Sequence, residues 1–184
     1  MIATERGTDM SAQLADDPIL RENRRSALAR RLILHGVRTR IVSRLTGLSR
    51  NRLATIRRRL MVSNETRPRG PTRRALKVFL CSSKARMEGA ALASLFSEFQ
   101  IPFAGSAHVQ PGATPVELGE RLCETYEAYR ACCPRSNIQL EELVALRNSL
   151  ATGDTIRVGR CRSCKCLILI DRYNGSCGCS HCDA

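Results

Sequence analysis

The sequence has no tryptophan and few aromatic side chains of any kind. Aromatic residues make up 4% of the 184 positions, whereas apolar residues make up 43%. A packed core is therefore possible, but it has to be built from aliphatic side chains and alanine. Long stretches rich in Leu, Ala and Arg favour helices. The expected fold class is mainly α.

The sequence also lacks long apolar runs and a start typical of secreted proteins. MIATERGTDM SAQLADDPIL has no basic beginning followed by an apolar run. No apolar stretch approaches the length of a membrane span. We therefore expect a cytoplasmic protein with no membrane partner. In that reducing compartment, clustered cysteines indicate metal ligands rather than disulfides.

Lysine is missing from the most basic part of the chain. Residues 21–74 contain 17 Arg against two acids, Glu22 and Glu65, a local balance of +15. Because the whole chain carries +13, the remainder sums to −2. Such a block is typical of polyanion binders, and guanidinium groups bind phosphates and guanine edges bidentately. The alternative is a solvated basic face or a disordered arm.

Periodicity and linker composition divide the first part of the chain. Residues 1–20 are predicted to be a flexible lead-in. Residues 21–62 form a basic helix-turn-helix-like segment, with apolar residues at three- to four-residue steps and breaks at Gly36 and Gly47. Residues 63–72 are rich in Pro and Gly, which predicts a linker.

Residues 73–153 are predicted to be a helical body that binds a protein partner. It begins with a helical stretch over 73–100. A further helix follows Thr114-Pro115, where Thr caps and Pro fits the first turn, and a last one spans about 139–150. Residues 154–184 change to alternating, β-branched and Cys-rich sequence, which predicts a small β module.

Two Cys-x-x-Cys pairs, Cys161/Cys164 and Cys179/Cys182, stand 14 residues apart in this module. Each pair lets a tight turn direct two thiolates at one metal, and two pairs complete the closed tetrahedral site of one structural Zn2+ ion. Four thiolates leave no open position for catalysis. A module of about 30 residues buries too little apolar surface to fold alone, so metal binding has to offset the ordering entropy.

The segment between the pairs favours a zinc ribbon. CLILI is typical of a strand, and Asn174-Gly175 is a turn signal that would bring the second pair back to the first. Cys166 and Cys177 leave alternatives open, since either can replace a neighbouring ligand or pack as a buried thiol. His181 lies inside the second pair, where geometry disfavours coordination. A redox dithiol is the minority alternative.

The run IVSRLTGLSRNRLATIRRRL has the organisation of a helix-turn-helix. Gly47 is expected at the turn with positive φ, Ser43 is small enough for a close helix crossing, and Ser49 is a candidate cap of the second helix. The residues expected to pack the two helices together are Val42, Leu48, Leu53 and Ile56. An ordinary basic pair of helices is the alternative.

The second helix supplies the candidate DNA contacts. Arg50 and Asn51 stand near its start, where such side chains read guanine and adenine edges. Later arginines are expected to neutralise phosphates. The predicted DNA-binding set is Arg50, Asn51, Arg52, Arg57, Arg58 and Arg59.

Three stretches of this sequence resemble the FlhC family, subunits of the bacterial flagellar master activator. LILHGVRTRIVSRLTGLSRNRL is similar to the N-terminal helices of that family. TYEAYRACCP is similar to its tyrosine-containing helix before Cys-Pro, and GSCGCSHC to its last zinc knuckle. The likeness covers roughly residues 28–60 and 120–182.

The resemblance implies a function and a set of partners. It implies that Cys161, Cys164, Cys179 and Cys182 bind zinc. It also implies that the chain activates flagellar operons in a hetero-oligomer with an FlhD-like subunit and recruits RNA polymerase to promoter DNA. Two alternatives are an activator of a non-flagellar regulon and a zinc-ribbon protein that binds RNA or the ribosome.

An enzyme is not expected. The sequence shows no Ser/His/Asp set, no phosphate-binding glycine loop and no paired carboxylates at suggestive positions. His35 and His108 stand isolated.

Overall fold

The computed structural model of the protein describes residues 17–62, 75–104, 113–173, 175, 179 and 182. The chain divides into two units, Met1–Arg67 and Pro68–Ala184. Their boundary falls within the predicted linker 63–72, which itself lies outside the described residues. The described part is mainly helical, with a small two-stranded antiparallel sheet near the C-terminal end, as the sequence predicts.

Three helices build the described part of the first unit: α1 (Pro18–Leu34), α2 (Thr39–Thr46) and α3 (Arg50–Arg59). Helix α1 begins earlier than expected, so residues 18–20 are helical rather than part of a lead-in. The reason is local, because the Asp17 carboxylate accepts a hydrogen bond from the Ile19 N–H at 2.8 Å and Pro18 fits the first turn. Residues 1–16 of the predicted lead-in lie outside the described residues.

The core of the first unit is aliphatic. Each pair of its helices is in contact. All four residues expected to pack the helix-turn-helix together are buried, whereas Leu34 is 66% exposed at the end of α1. The buried apolar side chains are Leu28, Ala29, Leu32, Ile33, Val37, Val42, Leu45, Leu48, Leu53 and Ile56.

Four helices form the body of the second unit as far as the structure describes it: α4 (Ala75–Phe79), α5 (Ser83–Glu98), α6 (Pro115–Cys132) and α7 (Leu140–Thr152). The stretch predicted over 73–100 is therefore two helices. The break occurs because the Ser82 hydroxyl accepts the Ala85 N–H at 3.1 Å and so starts α5 anew.

The predicted boundaries of α6 and α7 are confirmed. Thr114 and Glu117 form a capping box at the start of α6, in which the Thr114 hydroxyl accepts the Glu117 N–H at 3.3 Å. Helix α7 ends at Thr152 and is capped by Gly153, whose φ of 65° is the left-handed conformation that glycine adopts without strain.

Strands β1 (Ile156–Arg160) and β2 (Leu167–Asp171) pair antiparallel, with Val158 opposite Leu169. Because side chains alternate along a strand, the two faces of this hairpin meet different neighbours. Leu169 faces α5, where a Cβ placed on Gly89 would lie 2.5 Å from its Cδ1. Ile168 and Ile170 point the other way and pack with Cys161 and Cys179.

The hairpin thus lies between the helices and the cysteine pairs. Residues 73–153 and 154–184 both belong to the second unit. Among the residues that the structure describes, no helix combines the length and the apolar character needed to cross a bilayer.

Candidate metal centre and nucleic-acid interface

The first cysteine pair lies in the loop that joins β1 to β2. The Cys161 N–H donates to the Cys166 carbonyl at 2.9 Å, and the Lys165 N–H donates to the Cys161 carbonyl at 3.1 Å. Lys165 has a φ of 61°, which closes the turn tightly. This loop is the Cys-x-x-Cys turn that the sequence predicts.

The second pair returns to the first through a turn after β2. Gly175 has a φ of 60°, and its N–H donates to the Asp171 carbonyl at 3.0 Å. A glycine adopts this conformation without strain, which is the role expected of the Asn174-Gly175 signal. Asn174 itself lies outside the described residues. The Cys182 N–H donates to the Cys179 carbonyl at 3.0 Å.

The four thiols of Cys161, Cys164, Cys179 and Cys182 come together in one cluster, with every sulfur within 4.8 Å of the others. The Cys161 and Cys182 sulfurs are 3.8 Å apart, and the Cys164 and Cys179 sulfurs are 3.6 Å apart. A tetrahedral ion with bonds of about 2.3 Å to sulfur separates its ligands by about 3.8 Å. This four-cysteine cluster can therefore hold a metal ion.

The surroundings of the cluster favour a bound cation. Backbone N–H groups of Cys164 and Ser163 hydrogen-bond the Cys161 sulfur and lower the pKa of Cys161 to about 6. The neighbouring Cys164 thiol raises the pKa of Cys182 to about 12. Four close sulfurs do not all ionise unless a positive charge neutralises them, which is what a divalent ion supplies.

The other candidate ligands are Cys166, Cys177 and His181. Cys166 is exposed, and it does not belong to the cluster formed by the described residues. Cys177 and His181 lie outside the described residues. Sequence reasoning did not identify β1 as the partner of the CLILI strand, although the alternating residues Thr155–Arg160 before the first cysteine carried the signal.

The turn between α2 and α3 has the geometry expected of a helix-turn-helix. Gly47 has a φ of 71°, and its N–H donates to the Ser43 carbonyl at 2.8 Å. The Ser43 hydroxyl donates to the Leu48 carbonyl at 2.8 Å, so this small residue also joins the turn to α2. The Ser49 hydroxyl accepts the Arg52 N–H at 3.4 Å and caps α3.

Five of the six predicted DNA-contact side chains are exposed on α3: Arg50, Asn51, Arg52, Arg58 and Arg59. Two of the six make contacts within the first unit. Arg52 pairs with Glu22 of α1 at 2.7 Å, and the half-buried Arg57 donates to the Val37 carbonyl at 2.9 Å. The first contact joins α3 to α1, and the second joins α3 to the residues between α1 and α2. Sequence reasoning did not anticipate these contacts, because the partners are 30 and 20 residues away.

The tyrosines in the stretch TYEAYRACCP are core residues. Tyr129 is buried, and its hydroxyl donates to the Ser136 hydroxyl at 2.9 Å. Burial is the main cause that raises the pKa of Tyr129 to about 12, so its hydroxyl stays protonated as a donor. Tyr126 is also buried. These two tyrosines therefore contribute to packing.

No model of a known protein family matches the chain, and no curated protein matches it. The resemblance to the FlhC family rests on the three sequence stretches quoted above.

Proposed function

We propose that the chain is a cytoplasmic, DNA-binding transcriptional activator subunit similar to FlhC, and not an enzyme. The observation that carries this proposal is the exposed polar surface of α3. It is the second helix of a helix-turn-helix with a left-handed glycine turn and a serine cap, and it presents Arg50, Asn51, Arg58 and Arg59. Helices in this setting enter the major groove of duplex DNA.

The charge distribution supports a duplex as the ligand. The first unit contains most of the Arg-rich block 21–74. The residues outside this block have a net charge of −2. Contacts between arginines and phosphates release counterions, which provides affinity that depends strongly on salt. The exposed part of α3 has no aromatic side chain, whereas readers of single-stranded RNA use aromatic side chains to stack bases.

The four-cysteine cluster is proposed to bind one Zn2+ ion with a structural role. Thiolate ligands and spacings near those of a tetrahedron fit zinc. The ion would order the second cysteine pair against Ile168 and Ile170, since the hairpin is short and half of this small core consists of cysteines. Four protein ligands leave no position for a substrate or a catalytic water.

Resemblance to FlhC supports the remaining part of the proposal. An FlhD-like subunit would join the chain in a hetero-oligomer, and the complex would recruit RNA polymerase to the promoters of flagellar operons. Residues 75–184, which follow the Arg-rich block, contain 12 Lys and Arg against 11 Asp and Glu, and this near-neutral balance suits protein assembly rather than DNA binding.

Duplex binding tests this proposal. Zinc-loaded full-length protein would be titrated into labelled duplex DNA and into single-stranded RNA of the same length, at increasing salt, with fluorescence anisotropy as the measurement. We expect binding to the duplex with an affinity that falls linearly on a log–log plot against salt. No binding to the duplex in dilute buffer, or stronger binding to the RNA, would reject a duplex-binding activator.

The partner is tested separately. The tagged chain would be purified from its native cell, and the bound protein and DNA identified together. We expect a small helical subunit and promoter fragments upstream of flagellar operons. Recovery of promoter DNA from other operons would retain the activator and reject the flagellar target.

A further inference from the structure

One side of α3 faces away from the core of the first unit. Each helical residue turns by about 100°, and the buried Leu53 and Ile56 mark the inner side. Residues Asn51, Ala54, Thr55 and Arg58 lie on the opposite side, here called the outer face. Thr55 is half-buried and the other three are exposed.

The spacing of the outer face is i, i+3, i+4 and i+7. Such residues form a single stripe along a helix. The same spacing is used by the third helix of homeodomains when it reads base edges in the major groove. The outer face therefore has the arrangement needed to place four side chains along one groove floor.

Hydrogen bonds connect the members of this stripe. The Thr55 hydroxyl donates to the Asn51 carbonyl at 3.2 Å, and the Arg58 guanidinium donates to the Thr55 hydroxyl at 3.3 Å. Arg58 is thereby drawn along the outer face. Its remaining N–H groups can still donate in pairs, since a guanidinium carries five.

Other arginines of α3 are displaced from this stripe. Arg52 and Arg57 are held at the sides of the helix by Glu22 and by the Val37 carbonyl. Arg50 and Arg59 fall about a quarter turn to either side of the outer face. Side positions on a helix in the major groove approach the two phosphate backbones rather than the bases.

We infer that the outer face reads bases, with Asn51 recognising an adenine and Arg58 a guanine on the floor of one major groove. Asn binds adenine and Arg binds guanine bidentately, and the methyl groups of Ala54 and Thr55 suit a thymine methyl between them. This inference rests on the proposed duplex-binding function. It differs from the expectation that Arg50 reads bases and Arg58 contacts phosphate.

The helix also sets the distance between the two bases. Seven residues advance about 10 Å along an α-helix, and successive base pairs are about 3.4 Å apart. The adenine and the guanine should therefore stand roughly three base-pair steps apart.

Selection from a random duplex library tests the inference. Zinc-loaded full-length protein and the variants Asn51→Ala and Arg58→Ala would each select duplexes, which are then sequenced. We expect the unchanged protein to select an adenine and a guanine at this spacing. Asn51→Ala should lose only the adenine preference and Arg58→Ala only the guanine preference, each by about 5- to 150-fold.

Arg30→Ala is the matched control, because Arg30 is an exposed arginine of α1. It should lower overall affinity slightly and leave the selected sequence unchanged. If Asn51→Ala and Arg58→Ala still bind duplex and select the same sequence, the inference is wrong and the proposed function stands. If the unchanged protein binds duplex without any sequence preference, the inference is also wrong and the proposed function stands. Failure of the unchanged protein to bind any duplex at low salt would reject both the inference and the proposed function.

Discussion

The three-helix segment α1–α3 and the hairpin with its four cysteines are both short, and they are stabilised in different ways. The helices bury ten aliphatic side chains around one core. The core on the cysteine side of the hairpin consists of Ile168, Ile170, Cys161 and Cys179, so half of it is formed by side chains of the four-cysteine cluster. A short segment without enough apolar surface needs a metal to replace the missing core.

The two regions differ in charge as well as in packing. In the described part of helices α1–α3, arginines occupy the surface around a core that contains no charged side chain, so surface changes are expected to affect the proposed DNA binding without altering the fold. Around the hairpin, the proposed functional side chains are also the core. A substitution there is expected to remove ligand and structure together.

Loss of the metal is expected to have the largest effect. Cys161→Ser removes a central sulfur and should release the ion, at a cost of roughly the 10–16 kcal/mol that structural zinc contributes in small modules. Zinc per chain, measured by atomic absorption, should fall from one to near zero. Helices α1–α3 should keep their slow amide hydrogen exchange, whereas the residues of β1 and β2 should exchange fast.

Cys166→Ser is the matched control for this change, since Cys166 is an exposed thiol in the same loop. It should retain one zinc per chain. A Cys161→Ser protein with full metal content, or a Cys166→Ser protein without metal, would show that the ligand set is different.

A cavity in the segment α1–α3 should lower the stability of the first unit and leave the metal content unchanged. Leu53 is completely buried, so Leu53→Ala should lower the free energy of unfolding of the first unit by about 2–5 kcal/mol. Zinc content should stay at one per chain. Urea denaturation followed by circular dichroism measures the stability, and Leu34→Ala, at a residue 66% exposed, should change it by less than about 0.5 kcal/mol. Equal effects of both variants would mean that Leu53 is not a core residue.

The smallest expected effect concerns the turn between α2 and α3. Gly47 has a φ of 71°, and a Cβ added there meets no atom within 4 Å, so the cost of Gly47→Ala is conformational. We expect a loss of about 1–2 kcal/mol. Gly47→Asn should cost less, because Asn adopts the left-handed conformation more readily. The order of the two unfolding midpoints in urea checks this, and a lower midpoint for Asn than for Ala would contradict it.

Local patterns predicted most helix ends and the cysteine cluster correctly. Gly47, Ser49, Thr114 and Gly153 each act through bonds to residues within a few positions, so their roles can be recognised from the sequence. The start of α1 at Pro18 also follows from a local signal, the cap formed by Asp17. Sequence reasoning missed this signal because residues 1–20 are acidic.

Long-range contacts explain what sequence reasoning missed. The pairing of Arg52 with Glu22 and of Arg57 with Val37 joins residues that no periodic pattern relates. The same holds for Leu169 against Gly89, which places the hairpin on the helical body. These contacts depend on how elements pack, and packing is a property of the folded chain.

The sequence by itself determined the mainly helical class, the Arg-rich block and the pairing of two Cys-x-x-Cys turns, because composition, period and short spacings act locally. Only the tertiary structure decided which arginines of α3 face outward and that the hairpin lies between helices and thiols. The physical reason is that a side chain's orientation depends on which neighbours exclude it from the core, and those neighbours are distant in sequence.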